Sequence, residues 1–201
     1  MERYYIHFFI KQIDKKLKIR YNYSNIIEIE RMIKMKQYIG CEQDKTENKK
    51  IGFTIGKFAP FHKGHEFLIE TGLKDMDEFY VVIYDTPQFN IDMNTKVEWM
   101  TKKFPNVKIL KAFDSPKQYG LDEQSVNIQM EYLSEIIKDI PVNYFYSSEE
   151  YGKCVAEYLN IENVLVDKER INYPISAGMI RNNLEKYKKF LDISICNDLI
   201  D

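Results

Sequence analysis

Two of the three histidines in this chain, His62 and His65, stand three residues apart in the segment IGFTIGKFAPFHKGHEF (residues 51–67). An apolar run precedes them and a helical pattern follows. Histidines at i and i+3 can share a helix face, where they ligate a metal or donate hydrogen bonds to an anion. A zinc site needs a third and fourth protein ligand or an open position. The three cysteines, Cys41, Cys154 and Cys196, are scattered, and the remaining histidine, His7, is remote in the sequence. No metal ligand is therefore assigned. A phosphate site fits better. Gly56 ends the apolar run, Pro60 fixes a turn, and Gly64 lets backbone come close to a ligand. The helix expected from Lys63 would aim its first N–H groups and positive dipole end at the same place. The two imidazoles and Lys57 add donors, and such a site suits a triphosphate. Two unrelated surface histidines remain the alternative.

A second cluster, ISAGMIR (residues 175–181), points the same way. Ser176 can cap a helix, Ala177 and Gly178 keep the backbone open, and the following N–H groups face outward for phosphate oxygens. Arg181 can fork onto a phosphate with two parallel hydrogen bonds. Alone this segment is weak, because capping serines are common. Asp85, at the end of an apolar run, is a candidate for a substrate ribose or simply a solvated carboxylate. Trp99, in a helical pattern, is read as core more readily than as a platform for a base.

The elements that must hold these residues alternate regularly from Lys50 onward. Strands are expected over IGFTIG, EFYVVIYD, NVKILKAF, VNYFYS and ENVLVD. Helices are expected over KGHEFLIETGLKD, MNTKVEWMTKKF with Asn94 as a possible cap, VNIQMEYLSEIIKDI and SEEYGKCVAEYLN. Two short helical patterns, 177–182 and 184–191, close the domain. Near-continuous apolar strands alternating with helices mean a parallel sheet covered on both faces. Right-handed crossovers then give an α/β, Rossmann-like, doubly wound sheet of about five strands. Ligands bind such sheets outside the carboxyl ends of the strands. Asp85, the SSEEYG segment after Tyr146 and the DKERINYPISAGMIR segment after Val166 should all face that crevice.

Residues 1–49 read differently. Of the 201 residues, the first 50 carry a formal charge of +5 and the rest −7, for a total of −2. The expectation is an N-terminal extension and polar linker over 1–49, with a helix ending near Gly40, and one α/β domain over 50–201. The near-neutral balance excludes a generally basic nucleic-acid binder. No run of about 18 apolar residues occurs, so neither a spanning helix nor a membrane partner is expected. Scattered cysteines and the lack of a leader pattern make a cytoplasmic setting the expectation. The oligomeric state stays open.

GKFAPFHKGH near the start of such a domain and ISAGMIR near its end resemble the HxGH/ISxxxxR nucleotidyltransferase superfamily. Within it the likeness runs to the nicotinamide mononucleotide adenylyltransferase domain of NadR-type proteins. It covers about residues 50–191 and includes YSSEEYG, VLVDKER and ISAGMIRNNLEKY. The resemblance implies that His62 and His65 contact the ATP phosphates and stabilise the transition state. Lys57 would approach the triphosphate, and Ser176 with Arg181 would clamp it. It further implies Gly56, Phe58, Gly64, Ser147, Glu149, Ala177 and Gly178 at the ATP site, and Asp85 and Asn182 near the acceptor. Mg²⁺ held mainly through the ATP phosphates is implied as cofactor, with ATP and a small nucleotide monophosphate as partners. No covalent nucleophile is implied.

The sequence departs from the family at Leu184, where Pro is usual, and lacks the Trp that often follows Tyr187. Both departures bear on the acceptor. NadR-type proteins often carry a ribosylnicotinamide kinase domain, but no G-x-x-x-x-G-K-[ST] occurs here, so kinase activity is not expected. Alternatives are the same fold with another acceptor (cytidylyl transfer, or adenylyl transfer to phosphopantetheine or flavin) and a non-catalytic nucleotide-binding regulator.

Overall fold

The computed structural model describes residues 49–86, 89–117 and 122–200. All belong to one compact unit that begins at Lys49. The expected helix and linker within residues 1–48 lie outside the described residues.

Five parallel strands form one sheet: β1 (Ile51–Gly56), β2 (Glu78–Tyr84), β3 (Lys108–Ala112), β4 (Tyr144–Ser147) and β5 (Glu162–Leu165), in the order β3-β2-β1-β4-β5. The chain winds outward from β1 to β3, then restarts on the other side of β1 with β4. That reversal opens a crevice at the carboxyl ends of β1 and β4. The register sets Phe53 opposite Tyr80 and Phe145, and Ile55 opposite Val82.

Alternation along β2 sorts its side chains onto two cores. Phe79, Val81 and Ile83 face α1 (Lys63–Asp75) and α2 (Met93–Lys103). Val82 faces the other way, with Phe53 and Phe145, toward α3 (Glu123–Ile137) and α4 (Tyr151–Leu159). Val81, Val82 and Ile83 are fully buried. Each such side chain contributes roughly 1.5–3 kcal/mol in transfer terms, which is why β2 can be an interior strand covered on both faces. The chain then runs through α5 (Ala177–Asn182), α6 (Leu184–Tyr187), a 3₁₀ turn (Lys188–Phe190) and α7 (Ile193–Asp198).

Several boundaries differ from expectation. β2 stops at Tyr84 and β5 at Leu165, each short of its aspartate. Asp167 adopts a left-handed conformation (φ 50°), which no strand can continue. The cap of α2 is Asp92, whose carboxylate accepts from the N–H groups of Asn94 (2.7 Å) and Thr95 (3.1 Å), so Asn94 lies inside the helix. Asp122 caps α3 through Ser125 N–H (2.9 Å), so the helix starts three residues before the Val126 that the apolar positions alone suggest. Helix α7 was not expected at all. It docks by burying Ile195 and by accepting a 2.6 Å hydrogen bond from Trp99 Nε1 at Asp198. Trp99 is 3% exposed and is a core residue. Asp192, just before α7, pairs with Lys63 (2.7 Å), and Lys63 and Lys103 both pair with the buried Glu66 carboxylate (2.9 and 3.3 Å). These contacts fix the start of α1. Among the described residues no helix is long and apolar enough to cross a membrane.

Candidate active site

A cavity of about 610 Å³ opens where the strand order reverses. The β1–α1 loop, the ends of β2 and β4, the loop after β5 and the head of α5 all contribute to its wall.

The β1–α1 loop is shaped by its aromatics. Phe58, at φ 47°, and Phe61 are buried, and the Ala59–Pro60 bond is cis. The His65 ring stacks on His62 (3.7 Å between centroids, 15° between planes) and on Phe61 (5.9 Å, 10°), with Phe58 edge-on at 4.9 Å. His62 is the N-cap of α1. Its Nδ1 accepts from the N–H groups of Gly64 (3.2 Å) and His65 (3.4 Å). An imidazole that accepts at Nδ1 carries its proton at Nε2 when neutral, so the cap also sets the tautomer. Glycine at position 64 also suits this arrangement. A Cβ there would lie 3.1 Å from His62 Cε1.

Both imidazoles are neutral at ordinary pH. Burial, helped by the charge of Arg170, brings His62 down to about 4. Burial, then His62 and Arg170, holds His65 well below its usual value. His65 Nδ1 is buried without a hydrogen-bond partner. The histidines therefore act as neutral donors. One expectation is corrected here: the first turn of α1 is not a row of free N–H groups, because His62 takes up two of them.

Positive charge on the cavity wall comes from Lys57, Arg170 and Arg181. Arg181 donates through Nη1 to Ala59 O and lies over the Phe89 ring, 4.0 Å from its centroid. It therefore ties the last turn of α5 to the histidine loop as well as facing the cavity. Ser176 caps α5 by accepting from Met179 N–H (3.2 Å). The N–H groups of Ala177 and Gly178 lie in the first turn, where no intrahelical acceptor exists.

The expected residues Gly56, Lys57, Phe58, His62, Gly64 and His65 all line this cavity. So do Ser147, Glu149, Ser176, Ala177, Gly178 and Arg181. Asp85 and Asn182 do not. Asp85 sits beyond the end of β2, where its N–H donates to Ala112 O and its charge faces the buried Lys96, which itself donates to Tyr84 O and Thr86 Oγ1. Asn182 is on the exposed side of the short helix α5. Arg170, Asp167, Thr54, Tyr84, Gln129 and Tyr151 line the cavity without having been singled out. Arg170 and Asp167 belong to the segment expected at the crevice. The tyrosines and Gln129 come from core-patterned elements, and nothing in their local sequence marks them.

The parallel sheet, the H-x-G-H loop at the β1–α1 turn and the I-S-x-x-x-x-R segment of α5 are the features by which this chain resembles the HxGH/ISxxxxR nucleotidyltransferase superfamily. No family model matches the chain. It is 29% identical over 178 residues to the trifunctional NAD biosynthesis/regulator protein NadR of Salmonella typhimurium (strain LT2), and 28% identical to NadR of Escherichia coli (strain K12). Each match takes in 79% of this chain and 42% of the relative, so the chain spans less than half the length of these proteins. Its fold matches a crystal structure of a NadR protein in complex with NAD and AMP-PNP. That match has a TM-score of 0.51 and 18% identity, and covers 71% of this chain and 44% of the other.

Proposed function

We propose that the domain from Lys49 onward transfers the adenylyl group of ATP to nicotinamide mononucleotide, giving NAD and pyrophosphate. The observation that carries this reading is the meeting, on one cavity wall, of two stacked neutral imidazoles with Lys57, Arg181 and the capped head of α5. The likeness to NadR supports the choice of acceptor.

The chemistry asks little of the protein as a base. The acceptor's phosphate oxygen attacks the α-phosphorus, the bond to the bridging oxygen breaks, and pyrophosphate leaves with the bond pair. The nucleophile already carries its negative charge, so no proton has to be removed. What remains is alignment and stabilisation of charge on the phosphate oxygens. His62 Nε2–H is a directed neutral donor whose orientation the α1 cap fixes. Lys57 and Arg181 supply the charge. Held donors of this kind are worth about 3–4 kcal/mol each in the transition state. Among the described residues no group of three His, Cys, Asp or Glu could hold a metal. Mg²⁺ enters this reading as the counter-ion of ATP, carried by the phosphate oxygens. In this proposal the transferase domain begins at Lys49, one residue before the expected boundary at 50, and residues 1–48 are the N-terminal segment.

The test is an assay of pyrophosphate release with ATP or CTP against nicotinamide mononucleotide, its nicotinate analogue, phosphopantetheine, flavin mononucleotide and phosphocholine. NAD formed from ATP and nicotinamide mononucleotide, at the highest kcat/KM of the panel, is expected. Faster turnover of another pair would reassign the acceptor, and no turnover with any pair would leave a nucleotide-binding regulator.

A further inference from the structure

The loop after β5 is built around one side chain. Asp167 Oδ1 accepts from Ile171 N–H (2.9 Å), Asn172 N–H (3.1 Å) and Asn172 Nδ2 (3.1 Å), and Oδ2 accepts from Tyr173 N–H (3.1 Å). Arg170 N–H closes the turn onto Asp167 O (2.7 Å). Asp167 and Arg170 both take left-handed conformations, φ 50° and 51°, that ordinary residues adopt only where the surroundings impose them. The result is a fixed loop that sets Arg170 on the cavity wall with His62, His65, Ser176 and Arg181.

The side chain placed there is poorly matched. Its partner is Glu149, at 3.5 Å, with 39% and 69% of the two side chains exposed. A long, exposed ion pair of this kind is weak, so a ligand anion can displace it. Of the two carboxylates on the cavity wall, Asp167 is committed to its own loop and Glu149 is this loose partner. Arg170 lies at the solvent rim, whereas His62 is 4% exposed. The reacting phosphorus belongs beside the buried donors, which leaves the departing phosphates at the rim.

We propose that Arg170 binds the polyphosphate tail of the nucleoside triphosphate, releasing Glu149 to do so, and that Asp167 is the positioning residue that holds it there. This rests on the nucleotidyl-transfer reading of the cavity but not on the identity of the acceptor. The guanidinium offers two parallel donors to adjacent phosphate oxygens, and together with Lys57 and Arg181 it makes three cations around the tail.

Titration calorimetry of the full chain with inorganic tripolyphosphate and with AMP tests the assignment. Arg170→Ala should weaken tripolyphosphate binding by about tenfold or more and leave AMP within about twofold. Arg170→Lys should recover part of the loss. Asp167→Asn should weaken tripolyphosphate while leaving AMP unchanged. Unaltered tripolyphosphate affinity in Arg170→Ala would overturn the proposal. Equal losses for both probes would also overturn it, by showing that Arg170 is only part of the wall. The readout needs no acceptor, so a failure to make NAD overturns the acceptor assignment while the Arg170→Ala affinity still decides this one.

Discussion

Acidification should unfold this protein through its histidine pair, and His62→Asn should remove much of the effect. His62 titrates at about 4 in the folded chain, because burial and Arg170 oppose its protonation, against 6.5 for an ordinary histidine. The folded value is the lower one, so between them the unfolded chain binds the extra proton and stability rises with pH. The contribution is fully present above the ordinary value and is lost as pH falls from there toward the folded one. The whole shift corresponds to about 3 kcal/mol, of which about 2 kcal/mol is gone by about pH 5. His65 adds a loss of the same sign. Asn is chosen because its side-chain oxygen can still cap α1 through Gly64 and His65 N–H, so the helix start survives while the titrating ring is removed. Urea unfolding followed by circular dichroism at about pH 7.5 and about pH 5 gives the comparison. Wild type should lose at least about 2 kcal/mol more than His62→Asn over this interval. Equal losses in the two proteins would refute the neutral, buried assignment of His62.

Arg181→Lys should lower turnover by about one to two decades and raise the KM for ATP more than that for the acceptor, because lysine can neither fork onto phosphate nor lie flat on Phe89. Initial rates with each substrate varied in turn would show it, and a variant that needs only more acceptor would move Arg181 to the other side of the site. Gly152→Ala should cost about 1–3 kcal/mol in urea unfolding, since its Cβ would fall 2.0 Å from Ser147 Oγ and 2.8 Å from Asn163 Oδ1 where α4 meets β4 and β5. A fragment beginning at Lys49 should fold and keep its activity, judged by its thermal melt and by pyrophosphate release. That boundary retains the Lys49–Glu78 ion pair and the 2.9 Å hydrogen bond from Asn143 Nδ2 to Lys49 O.

The alternation of apolar runs and helical stripes determined the strands, their parallel pairing and the place where a ligand must bind. Burial demands of that kind are written into neighbouring residues, and local sequence carries them in full. The H-x-G-H and I-S-x-x-x-x-R spacings likewise singled out the β1–α1 turn and α5, which the fold brings onto one cavity wall. Tertiary structure decided the rest. Whether His62 is a cation or a neutral donor depends on how deeply it is buried against His65 and on a guanidinium from 108 positions further along the chain. Helix α7 is short and gains its stability from Ile195 and the Trp99–Asp198 contact, so its own pattern gives little warning of it. Arg170 reads as one more charged loop residue until Asp167 folds the loop around its carboxylate. Electrostatics and enclosure are properties of distances between remote residues, and only the packed chain sets those distances.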